Sequence, residues 1–331
     1  MATPTIDKDT YDALRHCLER EAGIALGEDK QYLIEGRLHA IMAAEGCTSW
    51  SEFLGRARAD ASGRIREAII DAMTTNETLW FRDEDPFTVL REVLIPRWAD
   101  EIRQGTRQRV RIWCTACSTG QEPYSVMITL LEAMRTQPAL RPEHIEILAT
   151  DISETALAAA REGRFNSVAM ARGMRPELRS RYFREDGRVA VIRPEAAGRI
   201  TFRRFNLQAS FSLLGSFDAV LNRYVAIYFA ADFKRELYRK IRGVLRPGGA
   251  LFLGSSESLT GYEAGFTARR QGKAIYFESD GAAGDVPPAE AVRPTLPAAA
   301  APAPAPAADA PVDSDIKAIL ASLRAINARQ P

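Results

Sequence analysis

The sequence predicts an α/β protein whose main body is a doubly wound, mostly parallel sheet. A small helical domain precedes that sheet, and a small β unit is inserted into it. Three observations carry the prediction. Apolar runs of strand length alternate with helical patterns from about residue 85 onward, as they do where helices cover both faces of a parallel sheet. Residues 8–73 show helical periodicity alone. Within the alternating part, residues 113–125 read WCTACSTGQEPYS, a strand end, a small-residue turn and a helix start in immediate succession.

In chain order, Tyr11, Leu14, Cys17 and Leu18 recur at helical spacing, as do Leu33, Arg37, Leu38 and Ile41, and again Ile65, Ala68, Ile69 and Ala72. Gly27 and Gly46 punctuate them, so three or four helices are expected within a domain at 1–84. The second domain, 85–279, opens with a helix at 87–103 and continues with a strand at 110–115, a helix at 122–134, a strand at 145–150 and a helix at 154–162. The alternation breaks at 165–205, where short strand-like runs at 189–193 and 199–205 suggest the inserted β unit. It resumes with a strand at Phe217–Leu221, a helix at 233–245, a turn at 246–249 and a strand at 250–254. Residues 266–277 read as a hairpin around Gln271-Gly272, an antiparallel edge. The stretch 280–312 holds eight prolines and few bulky apolar residues, the composition of an extended linker. At 313–331, Ile316, Ile319, Leu320, Leu323 and Ile326 form one amphipathic helical stripe.

The strand at 110–115 enters a turn of small residues, and Pro123 suits the first turn of the helix that follows. The next strand ends in Asp151. Strand, tight turn, helix, strand and acid is the layout of a site for a ribose-bearing cofactor. A dinucleotide asks for three glycines in G-x-G-x-x-G, and only Gly120 is present. A cofactor with a ribose but no phosphate, such as S-adenosylmethionine, needs less from the turn.

Composition narrows the remaining classes. With 46% hydrophobic and 26% charged residues and a net charge of +1, the chain is globular and no strongly basic nucleic-acid binder. The charge is uneven: 161–204 holds twelve Arg, no Lys and five acids. MATPTIDKDT has no apolar core of a signal peptide, and no apolar run approaches the roughly 20 residues that span a bilayer. A cytoplasmic protein without membrane insertion is expected. The Cys114-x-x-Cys117 pair has no second ligand pair beside it, and His16, His39 and His144 are scattered, so no metal site is expected.

Five stretches resemble one family in its own order, the S-adenosylmethionine-dependent chemotaxis receptor methyltransferases, or CheR family. They are TTNETLWFR at 74–82, WCTACSTGQEPYS at 113–125, ATDIS at 149–153, FDAVLNRYVAIYF at 217–229 and RPGGALFLGSSESL at 246–259. The resemblance runs from about residue 8 to 278. It implies a Rossmann-like methyltransferase sheet with an N-terminal helical domain. It also implies transfer of a methyl group to glutamate side chains of chemoreceptor cytoplasmic helical bundles, leaving S-adenosylhomocysteine. The small β subdomain is implied to dock a receptor C-terminal tail.

By position, Asn76, Thr78 and Arg82 match the family's cofactor-contacting loop. Glu122 matches the acid after the glycine turn, Asp151 the ribose acid, and Asn206-Leu207 a pair near the adenine. Arg223 and Tyr228 match the fourth stretch, whose tyrosine lies near the transferred methyl. Arg82 and Tyr228 are thus the candidate catalytic residues. Arg82 suits a carboxylate, either that of the cofactor's methionyl group or that of the acceptor. Gln121 stands where the family usually has Glu, a minor departure. Tyr224 stands where the family shows Asn, and a bulky phenol there is expected to alter cofactor binding.

Overall fold

The structure, a computed structural model, describes residues 4–262 and 265–280. The linker and terminal helix read from the sequence beyond residue 280 lie outside the described residues. The described chain forms two compact units. The smaller takes residues up to Leu14 and Glu28–Met73; the larger takes Arg15–Gly27 and everything from Thr74 on.

The smaller unit holds the start of α1 (Lys8–Ala22) and all of α2 (Gln31–Ala44), α3 (Trp50–Ala59) and α4 (Arg64–Met73). Local chemistry starts these helices. Asp7 accepts from the Thr10 amide at 2.9 Å, and the Ser49 hydroxyl accepts from the Glu52 amide at 3.2 Å, each satisfying an amide that a first helical turn leaves unpaired. Ile34, Leu38, Trp50, Phe53, Ile65 and Ile69 are buried. The Trp50 indole N–H is not lost on burial, since it donates to the Pro4 carbonyl at 2.7 Å.

The larger unit begins with α5 (Asp85–Val89), a turn of π-helix (Leu90–Leu94) and α6 (Ile95–Arg103), where the sequence predicts one helix. Pro96 has no N–H to donate, and the helical ladder widens just before it. Next come β1 (Val110–Cys114), α7 (Gln121–Met134), β2 (Ile145–Asp151) and α8 (Glu154–Glu162). The inserted region contains β3 (Arg164–Asn166), α9 (Ser167–Ala171), α10 (Pro176–Tyr182), β4 (Phe183–Asp186), β5 (Val189–Ile192) and α11 (Pro194–Ala197). The chain closes with β6 (Ile200–Arg204), β7 (Phe217–Leu221), α12 (Ala231–Val244), β8 (Leu245–Phe252), β9 (Phe266–Gln271) and β10 (Ala274–Ser279).

Seven strands form one sheet in the order β6-β2-β1-β7-β8-β10-β9. The first five are parallel and the last two antiparallel, the doubly wound sheet with an antiparallel edge that the sequence predicts. Both faces of β1 are buried. Val110, Ile112 and Cys114 join one core cluster and Trp113 the other, the period-two alternation of a covered strand.

Two details differ from the sequence reading. β6, grouped there with the inserted unit, pairs in parallel with β2, because Ile200 and Phe202 pack on the main core. The second sheet is therefore only β3-β5-β4. β8 also starts at Leu245 rather than 250: the stretch read as a turn runs within the strand, with a register shift between Phe217 and Ala219.

Candidate active site

Sheet order reverses at β1, with β2 on one side and β7 on the other. The crevice at the carboxyl ends of such strands is where open α/β sheets bind ligands. The turn from β1 to α7 borders it. Gly120 has φ +94°, and a Cβ there would meet the Ala160 Cβ and the Tyr124 ring, both at 3.0 Å, so glycine suits both its backbone and its space. The Cys117 amide donates to the Thr150 carbonyl at 2.9 Å. Asp151, buried at the end of β2, accepts from the amides of Ser118 at 2.8 Å and Ser153 at 2.9 Å. A carboxylate gripped by two backbone donors has a fixed direction, as recognition of ribose hydroxyls requires. Asn206 and Leu207 lie beside this acid, since the Phe205 amide donates to the Asp151 carbonyl at 2.9 Å. The Asn206 amide group itself is engaged by the protein. It donates to the Glu21 carbonyl at 2.7 Å and accepts from the Gln208 amide at 2.9 Å. Leu207 is buried in a core cluster.

The loop at 74–82 covers the turn. The Ser118 hydroxyl donates to the Asn76 carbonyl at 2.9 Å. Trp80 anchors the loop: it is fully buried, edge-on to Phe165 and Phe183 at 4.8 and 5.4 Å between ring centroids. The Phe81 amide donates to the Ser125 hydroxyl at 3.1 Å. Phe81, Asp83 and Glu84 all have positive φ, at +49°, +69° and +48°. Such backbone costs about 1–3 kcal/mol per residue and concentrates at functional sites. Among the described residues, the Thr78 side chain makes no hydrogen bond and Arg82 no ion pair. Arg82 donates to the Glu77 carbonyl at 3.2 Å, and its guanidinium carbon lies 3.5 Å from the centroid of the Tyr224 ring.

Arg223 is the buried hub. Its side chain is 1% exposed and pairs with Glu122 at 2.8 Å and Asp83 at 2.9 Å. It also donates to the Arg82 carbonyl. Burial pushes Glu122 above the usual carboxylate range, with Arg223 opposing. Burial pushes Asp83 the same way, but the Tyr224 hydroxyl and the Arg223 charge outweigh it and hold Asp83 below its ordinary value. Tyr224, at φ +56°, donates its hydroxyl to Asp83 and its amide to Glu257 at 2.6 Å. Tyr228 sits in a short 3₁₀ turn, Ala226–Tyr228, where its carbonyl accepts from the Ala25 amide at 2.9 Å.

The structure thus gathers Asn76, Arg82, Glu122, Asp151, Arg223 and Tyr224 at the carboxyl ends of the central strands. Sequence reasoning missed Asp83, Asn222 and Glu257. Asp83 directly follows the matched loop, and the other two lie inside stretches already singled out. Three buried atoms there, Asn222 Nδ2, Arg223 Nε and Glu257 Oε1, have no partner among the described residues. Unpaired buried polar atoms are rare in native proteins. Three at the ends of β7 and β8, with a directed acid across β1, fit a polar ligand such as S-adenosylmethionine.

Cys114 and Cys117 are buried, and burial pushes both thiols well above their ordinary range, so they are protonated at neutral pH. Among the described residues no group of three His, Cys, Asp or Glu is placed to hold a metal, and no helix is long and apolar enough to cross a membrane.

Comparison with known proteins matches both units. Residues 76–275 match the family model described as the CheR methyltransferase SAM-binding domain, and residues 9–74 match that of the CheR methyltransferase all-alpha domain. The chain is 44% identical over 263 residues to the chemotaxis protein methyltransferase Cher2 of Pseudomonas putida, covering 79% of this chain and 93% of that protein. It is 44% identical over 251 residues to chemotaxis protein methyltransferase 1 of Pseudomonas aeruginosa, covering 75% and 90%. With the chemotaxis protein methyltransferase of Vibrio anguillarum it shares 40% over 280 residues, covering 84% and 99%.

Proposed function

The chain belongs to the CheR family of S-adenosylmethionine-dependent chemotaxis methyltransferases, and from that premise we propose that it esterifies glutamate side chains on the cytoplasmic helical bundles of chemoreceptors. The observation that carries this reading is the placement of Asp151 and Arg82 on opposite sides of β1. Asp151 ends β2. Arg82 is stacked on Tyr224, which follows β7 and touches Ser255 beyond β8. One pole suits the ribose and the other an acceptor carboxylate.

S-adenosylmethionine, when bound, supplies the sulfonium methyl. A glutamate is already ionised at neutral pH, with an ordinary pKa of about 4.3, so the site needs no general base. The work left to the protein is positioning and exclusion of water. Arg82 offers a planar pair of donors for the acceptor carboxylate. Asp151 directs the ribose, Asn76 and Thr78 line the covering loop, and Asn206-Leu207 flank the adenine side. Glu122, through Arg223, fixes the floor, while Tyr228 lines the methyl pocket. The reaction takes place in the cytoplasm, where the receptor bundles lie.

The β3-β5-β4 sheet has two edge strands, β3 and β4, to one of which an extended receptor tail would add as a further strand. Many of the arginines nearby are already ion-paired: Arg164 with Asp186, Arg172 with Glu77, Arg179 with Glu185 and Arg181 with Glu132. These pairs are exposed and worth at most about 1 kcal/mol each, so an acidic partner exchanges them at little cost.

The test incubates the enzyme and methyl-labelled cofactor with chemoreceptor-bearing membranes, then treats them with base. Release of volatile label from the receptor band is expected. Label that resists base places the methyl group elsewhere and ends the ester reading.

A further inference from the structure

We propose that Tyr224 is a positioning residue, which aims the Arg82 guanidinium at the acceptor carboxylate by stacking beneath it. This rests on the reading of Arg82 given above. Among the described residues the Arg82 side chain has no ion pair and one hydrogen bond, to the Glu77 carbonyl. A carboxylate in place of the ring would neutralise the guanidinium and occupy its N–H groups. An aromatic face holds a guanidinium without using those donors, because the attraction runs through the ring quadrupole. At 3.5 Å from the ring centroid, Arg82 is in direct contact with that face.

The ring is itself held at its hydroxyl and through its backbone amide. Its hydroxyl donates to Asp83 and lies 2.8 Å from the Ser255 hydroxyl; the Ser255 amide donates to it at 3.2 Å. The Tyr224 amide donates to Glu257 at 2.6 Å, and the same carboxylate oxygen accepts from the Gly254 amide at 2.8 Å. Gly254 leaves room for the ring, for a Cβ there would meet Cδ1 and Cε1 of Tyr224 at 2.9 Å. Asp83 ties the phenol to Arg223, so the stack is joined to the buried hub.

The backbone argues the same way. Tyr224 has φ +56°, a conformation unfavourable for a bulky side chain and far easier for Asn. The chain keeps an aromatic ring where the backbone favours Asn. Its ring points toward Arg82, Asp83 and Ser255, and among the described residues its hydrogen bonds and cation–π contacts are with Arg82, Asp83, Arg223, Ser255 and Glu257.

The experiment uses the full chain and four variants: Tyr224→Asn, Tyr224→Phe, Arg82→Ala and the Asn/Ala double. Asn relieves the backbone, so a loss in that variant reflects the missing ring. Tyr224→Asn is expected to keep its melting temperature and to bind S-adenosylhomocysteine within about threefold of wild type. Its kcat/KM for receptor methylation should fall about tenfold, within the range of a partly desolvated cation–π contact. Tyr224→Phe keeps the face and should recover most of that loss. In the Arg82→Ala background the Asn change should add nothing, as expected when one residue acts through another. An equal loss of S-adenosylhomocysteine affinity in Tyr224→Asn, or a full effect of Asn without Arg82, overturns the proposal.

A second readout needs no turnover. The Arg82 Nε–H resonance, assigned by its loss in Arg82→Lys, should be ordered in wild type and Tyr224→Phe and mobile in Tyr224→Asn. Equal order in all three overturns the proposal. Should no receptor ester form while the resonance behaves as stated, the reaction reading falls and the Tyr224–Arg82 relation stands.

Discussion

The Ser118 amide donates to the Asp151 carboxylate at 2.8 Å, so the acid that ends β2 also holds the turn that ends β1. One side chain therefore clamps the turn and, in the proposed function, also directs the ribose. Asp151→Ala should weaken S-adenosylmethionine binding by about 1–3 kcal/mol, the scale of a lost charge-assisted hydrogen bond. It should also lower stability, because the amides of Ser118 and Ser153 lose their acceptor. Calorimetric titration beside urea melts separates the two effects. Lower stability with unchanged affinity would reduce Asp151 to a turn clamp.

Removing the buried hub should be more damaging. Arg223→Met leaves Glu122 and Asp83 without their cation, and breaking a buried pair in this way costs about 3–5 kcal/mol. Adding Glu122→Gln to Arg223→Met should recover part of the loss, since the buried charge goes with the partner. Denaturant midpoints of the three proteins check this. No recovery would mean that Arg223 stabilises by packing rather than by charge.

Asp83 gives a pH signature. Its carboxyl is held below the ordinary value, so the folded state binds its proton less tightly than the unfolded chain. A depressed acid stabilises the fold above its unfolded pKa, and that contribution is lost as pH falls through the folded value. The stability gap between wild type and Asp83→Asn should be constant above about pH 5 and narrow below about 3.9, the ordinary aspartate pKa. Urea melts from pH 7 to pH 3 measure it, and a gap that widens on acidification contradicts the assignment.

Much of this site is legible in the sequence because local rules fix it. Residues 110–125 combine a strand run, small turn residues and Pro123, and Asp151 follows directly on an apolar strand. The Arg223 hub is different. Its partners Asp83 and Glu122 lie 140 and 101 residues away, and no periodicity marks a pairing over such separations. The same holds for β6. Its run of Ile200, Thr201 and Phe202 reads as a strand, but its place beside β2 is decided by tertiary packing. Tyr224 shows a third limit. Its departure from the family pattern is visible in the sequence, whereas the direction of its ring, toward Arg82, depends on a positive φ that no residue type announces.

The opposite, amino end of the strands supplies a contrast. Asp218, at the start of β7, has a side chain 2% exposed. It accepts from the Arg111 amide at 2.7 Å, from Arg246 at 3.1 Å and from Arg107. It lies at the amino end of its strand, away from the crevice at the carboxyl ends. Asp218→Asn keeps the shape but removes the charge. It should cost about 1.5–3 kcal/mol of stability, the range for hydrogen bonds to a charged group. Arg246 is partly exposed and can turn to water, which keeps the cost below that of losing Arg223. Cofactor affinity and methylation rate, measured well below the melting temperature, should stay within about twofold of wild type. Asp218 and the proposed cofactor site lie at opposite ends of the strands, and a charge change at one should not be felt at the other. A large fall in cofactor affinity for Asp218→Asn would show that the two ends are coupled through β7.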